Sequence, residues 1–127
     1  MNMQDNIVVS GLVATTPRFI KTSEGLAIAS FRLASAQKRI DPVTGEVKDT
    51  DTNWYTVSAF GQLAENMAKS IEKGTRVIVS GRLRIRDWES TDRSGTTVEI
   101  EANIIGHDLN WGTSEFTRVS AAELASV

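Results

Sequence analysis

Apolar positions in this 127-residue chain follow two spacings, and the changes between them divide it into elements. Asn6 to Val13 (NIVVSGLV) is β-branched and apolar, which predicts a strand closed by Pro17. Glu24-Gly25 predicts a turn. Ala27 to Lys38 alternates, with Ala29, Phe31 and Leu33 on one face and Ser30 and Arg32 on the other. Asp41 to Glu46 (DPVTGE) has the punctuation of a loop or hairpin tip. Trp54 to Phe60 is a strand again. From Gln62 to Lys73 the period lengthens: Leu63, Met67 and Ile71 recur every fourth residue, with Ala64 and Ala68 beside them. That predicts a short amphipathic helix capped by Gly74. Arg76 to Trp88 is a long strand, Ser90 to Gly95 (STDRSG) a turn, and Thr96 to Ile105 a last strand. Val98, Ile100, Ala102 and Ile104 are expected on one face of it.

The fold class this predicts is mainly β: five main strands, with one short helix between the third and the fourth. That is the order of the five-stranded oligonucleotide/oligosaccharide-binding (OB) barrel. Gly11 and Gly81 interrupt similar strings, IVVSGLV and VIVSGRL, and glycines inside strands suit the bulges and bends of a small barrel. No linker separates a second domain. Residues 1–112 are expected to form the barrel domain and 113–127 a short extension. The extension is either a further strand or a frayed tail, and Ser120 to Glu123 could cap a short helix.

Composition narrows the function. The chain has no cysteine and one histidine, His107, so neither a disulfide nor a transition-metal cluster is expected. His107 reads as a loop or strand-end residue and Met67 as helix core. No apolar run approaches the ~20 residues of a membrane span, and Met1 to Asn6 has no basic segment leading into an apolar one. A cytoplasmic protein is expected. Net charge is −2, against indiscriminate binding to polyanions. Yet Lys73 to Arg86 carries five basic residues and no acid, while the acids gather on either side, at Asp41 to Asp51 and after Glu99.

Candidate chemistry lies on two strand faces. Arg82, Arg84, Arg86 and Trp88 occupy every second position, which leaves Leu83 and Ile85 to face the core. Trp54 and Phe60 share a face with Thr56 and Ser58, opposite Tyr55, Val57 and Ala59. Each element alone has a plainer reading: a tryptophan is often partly buried core, and alternating arginines are often a solvated strand that resists edge pairing. Rings interleaved with arginines are also what single-stranded nucleic acid needs, since bases stack on the rings while cations follow the phosphates. A protein-binding OB module, such as a primosome-like accessory subunit with weak DNA binding, is the alternative. No enzyme is expected: the chain has no G-x-S-x-G, no glycine-rich phosphate loop, no H-E-x-x-H and no histidine triad, and Asp87 and Glu89 beside Trp88 are not read as a catalytic pair.

From Asn6 to Trp111 the chain resembles bacterial single-stranded DNA-binding proteins. The carriers are VSGLVATTP, AIASFRLAS, the block from Thr44 to Trp88, and EIEANIIG; the block holds W-x5-F-G-x-L-A-E and then K-G-x-x-V-x-V-x-G-x-L-x-x-R-x-W. The resemblance implies sequence-tolerant binding and protection of single-stranded DNA in replication, recombination or repair, without a cofactor, in the nucleoid-associated cytoplasm. It puts Trp54, Phe60 and Trp88 at base-stacking positions and Arg84, Arg86 and Lys73 at phosphate contacts. Arg82 and Arg32 join the candidate DNA-binding residues as neighbours on the same polar faces. The resemblance also implies a homotetramer, a dimer of dimers, with the N-terminal strand near the dimer contact.

The chain departs from the family pattern in places. Arg39 stands where a stacking tryptophan is frequent, and a guanidinium can itself stack on a base. Thr56 and Gln62 replace frequent basic residues, and Tyr55 a frequent histidine near subunit contacts. The family's acidic, Pro-Phe-tipped tail, which docks protein partners, is not matched by SAAELASV. His107 to Ser120, with Trp111 and Phe116, is the candidate for an extra strand clamping a neighbouring subunit.

Overall fold

The structure, a computed structural model, describes residues 4–120. Six strands and one helix follow in the order β1 (Asn6–Val13), β2 (Arg18–Lys21), β3 (Ala27–Ile40), β4 (Val47–Phe60), α1 (Gly61–Ser70), β5 (Arg76–Glu89) and β6 (Ser94–His107). The sheet runs β1-β5-β6-β4-β3-β2, and β1 also pairs with β3, which closes five strands into a barrel. Pairing is antiparallel except between β4 and β6.

The predicted alternation builds the core. Ala27, Ala29, Phe31 and Leu33 from β3, Tyr55, Val57 and Ala59 from β4, Val77 and Val79 from β5, and Ile100 from β6 are buried together with Val13. Tyr55 therefore packs inside the barrel, facing Leu33 across the β3–β4 pair. The helix closes one side with Ala64 and Met67. It is shorter than its periodicity predicts. Ile71 adopts an extended backbone and stays in the core, while Ala68 is exposed. Gly74 does not cap the helix; its positive φ of 96° serves the following turn, where its N–H donates to the Val13 carbonyl at 2.8 Å.

Closure forces backbones together at two glycines. A Cβ on Gly11, where β1 passes from β5 to β3, would lie 2.5 Å from the Ala34 carbonyl oxygen. A Cβ on Gly81 would collide with the Glu101 carbonyl. Beside Gly81 the β5–β6 register shifts, because Asn103 of β6 is left without a partner. This bulge reverses the alternation after it: Ile105, not Ile104, packs against the core, and Ile104 is exposed.

Two hairpins outrun the barrel. β3 ends at Ile40, close to its expected end at Lys38, but β4 begins at Val47, well before the expected Trp54, and the extension is exposed on both faces. Its tip is tied by the Asp41 N–H to the Glu46 carbonyl and the Val43 N–H to Asp41 Oδ1, both 2.8 Å, with Gly45 at positive φ. The far half of β5 also leaves the core. Leu83 packs inward as expected, but Ile85 is 66% exposed because nothing lies beneath it there. β2 was not expected. It is four exposed residues with no inward apolar pattern, held as an edge by pairing with β3 and by a Lys21–Glu65 ion pair at 3.3 Å.

Beyond β6, residues 108–120 form no strand in this single chain. The Asp108 N–H donates to the Arg76 carbonyl at 3.0 Å, and the Trp111 ring lies 4.3 Å from the Arg76 guanidinium. His107 ends β6, as expected. Its Nε2 lies 3.1 Å from the Ser70 carbonyl at the end of the helix, and its Nδ1 meets the Ser114 hydroxyl. The cap read at Ser120 to Glu123 falls outside the described residues.

Replacing Gly81 with alanine should destabilise the chain by about 1–3 kcal/mol, the usual cost of forcing an atom into a packed site. Urea unfolding would measure it, and unchanged stability would mean that the backbones can part.

Candidate functional site

The outward face of the barrel is set by register. Arg32 of β3 faces Thr56 of β4, Thr56 faces Glu99 of β6, and Glu99 faces Arg84 of β5. The next row is Ser30, Ser58, Glu101 and Arg82. Residues that face one another across neighbouring strands point to the same side, so both rows share one surface. Continuing the register, Trp54 and Arg86 fall one row beyond Arg32 and Arg84, and Trp88 one row further still. Phe60 falls on the opposite side of the two rows, next to Ile28. The aromatic rings therefore bracket the arginines.

The rings are open to solvent. Trp54 is 48% exposed, and Phe60 and Trp88 are 43% exposed each. Neither tryptophan is left unsupported. The Arg32 guanidinium carbon sits 5.6 Å from the centre of the Trp54 ring, and Arg32 Nη1 donates to Thr56 Oγ1 at 3.3 Å. Trp88 lies across from Gly95, and a Cβ there would come within 2.6 Å of the indole carbon Cζ2. The ring thus rests against bare backbone, a close approach that only glycine permits. Asp87 and Glu89, two residues apart, share the other side of this arm, where Asp87 Oδ1 accepts from Thr96 Oγ1 at 3.0 Å.

The arginines are not equivalent. Arg82 Nη2 pairs with Glu101 Oε2 at 3.1 Å, and Arg86 Nε with Glu99 Oε1 at 3.6 Å. Arg84 is exposed, and its guanidinium has no ion-pair or hydrogen-bond partner among the described residues.

Two candidate residues lie apart from this surface. Arg39 is exposed on the β3–β4 arm, opposite Lys48. Its odd position in β3 turns it to the other side of the ribbon from Arg32. Lys73 is exposed in the turn before β5, at the far end of that strand from Trp88. The sequence reading passed over Gly95, Glu99 and Glu101. Gly95 looked like turn punctuation, and the carboxylates looked like the polar half of an alternating strand. Only the cross-strand register gives them partners. No described helix is long and apolar enough to cross a membrane.

The fold and sequence have clear relatives. A crystal structure of a small single-stranded DNA-binding protein from Streptomyces coelicolor superposes with a TM-score of 0.80 at 39% identity, covering 88% of this chain and 100% of that one. Single-stranded DNA-binding protein 2 of Tropheryma whipplei (strain Twist) is 50% identical over 114 residues, which is 90% of this chain and 75% of that protein. Single-stranded DNA-binding protein 2 of Streptomyces avermitilis is 41% identical over 122 residues, 95% of this chain and 77% of that one. Residues 4–108 match the model of the single-strand binding protein family. With nearly the whole barrel matched, the chain belongs to the single-strand binding protein family.

Proposed function

We propose that this chain binds and protects single-stranded DNA without regard to sequence, as a homotetramer built from two dimers, in replication, recombination or repair at the cytoplasmic nucleoid. The observation that carries this reading is the exposed surface on which Trp54, Trp88 and Phe60 bracket rows of arginines. A half-exposed ring on a barrel face leaves apolar area in water, and a stacked base would cover it. Any base has a π-face, so such a site tolerates sequence. Arg84, Arg86 and Arg82 run beside the rings and would follow the phosphates, with Arg32 on the neighbouring strand beyond. Family membership supports a binding role without catalysis. Lys73 and Arg39, away from the central surface, suit a strand that continues around the particle.

Rigidity of the rings is part of the proposal. Gly95 holds the Trp88 indole against backbone and leaves its other side free, so less rotamer freedom is lost when a base arrives.

Titration with oligo-dT should quench the tryptophan fluorescence, stoichiometrically at low salt, while duplex of equal length should not. Quenching by neither would assign the aromatic face to a protein partner instead. Trp54→Ala and Trp88→Ala should each weaken binding by about 1–3 kcal/mol, and normal binding by either variant would make that ring structural. Arg84→Ala should lower the magnitude of the log–log salt slope by about 0.7, the share of one phosphate on a single strand; an unchanged slope removes Arg84 from the contacts. Gly95→Ala should raise acrylamide access to Trp88 in a chain where Trp54 and Trp111 are phenylalanine, and equal access would show that the ring does not depend on Gly95. Light scattering should give four times the 13.9 kDa chain, and the mass of one or two chains would refute the tetramer.

A further inference from the structure

The carboxylates on the arginine surface have no role in holding the barrel that packing requires. Glu99 and Glu101 stand on the outward face, between Thr56 and Ser58 on one side and Arg84 and Arg82 on the other. Each nonetheless engages an arginine, Glu101 with Arg82 at 3.1 Å and Glu99 with Arg86 at 3.6 Å. From these contacts, and resting on the DNA-binding reading above, we infer that Glu99 and Glu101 are built-in counter-ions. They occupy Arg86 and Arg82 in the free chain and yield them to the phosphates of a bound strand, which holds affinity below what the bare arginines would give.

The exchange is physically cheap. Ion pairs in contact with solvent contribute little to stability, and each pair has one member well open to water, the Arg86 side chain at 56% and the Glu101 side chain at 44%, against partners at 21% and 36%. A phosphate offers the same guanidinium a charge-assisted, often two-pronged contact. The displaced carboxylates cannot leave. Glu99, with its side chain 21% exposed, stays fixed in the row beside Arg84, and its charge then faces the incoming phosphates. Attraction at Arg84 is thereby opposed next door. The result is a surface that captures a strand through Arg84 and releases it readily.

The test is a double-mutant cycle read by oligo-dT titration across a salt series, with thermal melting of each variant. Glu99→Gln and Glu101→Gln should each tighten binding several-fold at fixed salt and steepen the salt slope. The gain from Glu99→Gln should shrink in an Arg86→Gln background, and that from Glu101→Gln in an Arg82→Gln background, because the counter-ion then has no arginine to release. Unchanged or weaker binding in folded Glu99→Gln and Glu101→Gln chains would overturn the inference and recast the carboxylates as supports that aim the arginines. A gain of full size in both arginine-deleted backgrounds would also overturn it, leaving only general charge repulsion. The two pairs are independent, so a variant that fails to fold still leaves the other to decide. A wild-type chain that ignored oligo-dT would refute the DNA-binding reading itself, whereas wild-type binding with no gain in either variant would refute the counter-ions alone.

Discussion

Cross-strand register is the constraint on which the exposed surface depends, and Gly11 and Gly81 let the barrel that carries it close. Five strands can curl into a ring this small only if backbones approach closely where one strand changes neighbours, and a side chain at either glycine would meet a carbonyl there. The strand order places β5 between β1 and β6, and β6 between β5 and β4. That order carries the arginines of β5 to within one strand of the Trp54 face. The registers of β3 with β4, β4 with β6 and β6 with β5 thus write the rows Arg32-Thr56-Glu99-Arg84 and Ser30-Ser58-Glu101-Arg82.

Much of this was legible in the residues, for a physical reason. Period-two alternation records which face is buried, so it was clear wherever a strand has one wet side and one dry side: Ala27 to Leu33, Trp54 to Phe60 and Val77 to Leu83. It failed where that contrast ends. The arm from Ala36 to Asn53 is wet on both faces, and β2 is wet throughout, so neither left an apolar signature. Ile85 carried the signature without the burial, since alternation marks a direction and not what lies in that direction.

Parity was the other weak point. One unpaired residue, Asn103, exchanges the faces of Ile104 and Ile105, and nothing in the local string ANIIGH announces the bulge. Gly74 shows the same limit for helices. A glycine after an amphipathic run is a fair sign of a cap, but Ile71 gains more from staying in the core than from another helical turn, so the helix stops first. The partners of Glu99 and Glu101 were beyond reach because they belong to other strands.

A surface proposed to receive flat bases faces a conflict, because rings left in water tend to fold onto any apolar neighbour. Here each tryptophan is braced from its own sheet. Arg32 stands over Trp54 and is itself bonded to Thr56. Gly95 gives Trp88 a floor of backbone with no side chain to displace it. Both braces use a neighbour across the strands, so both depend on register, that of β3 with β4 for Trp54 and that of β5 with β6 for Trp88. Part of the positive charge is paired with carboxylates one strand over. Rings and arginines are therefore held by contacts that lie outside the core, since the side chains that make them point away from it.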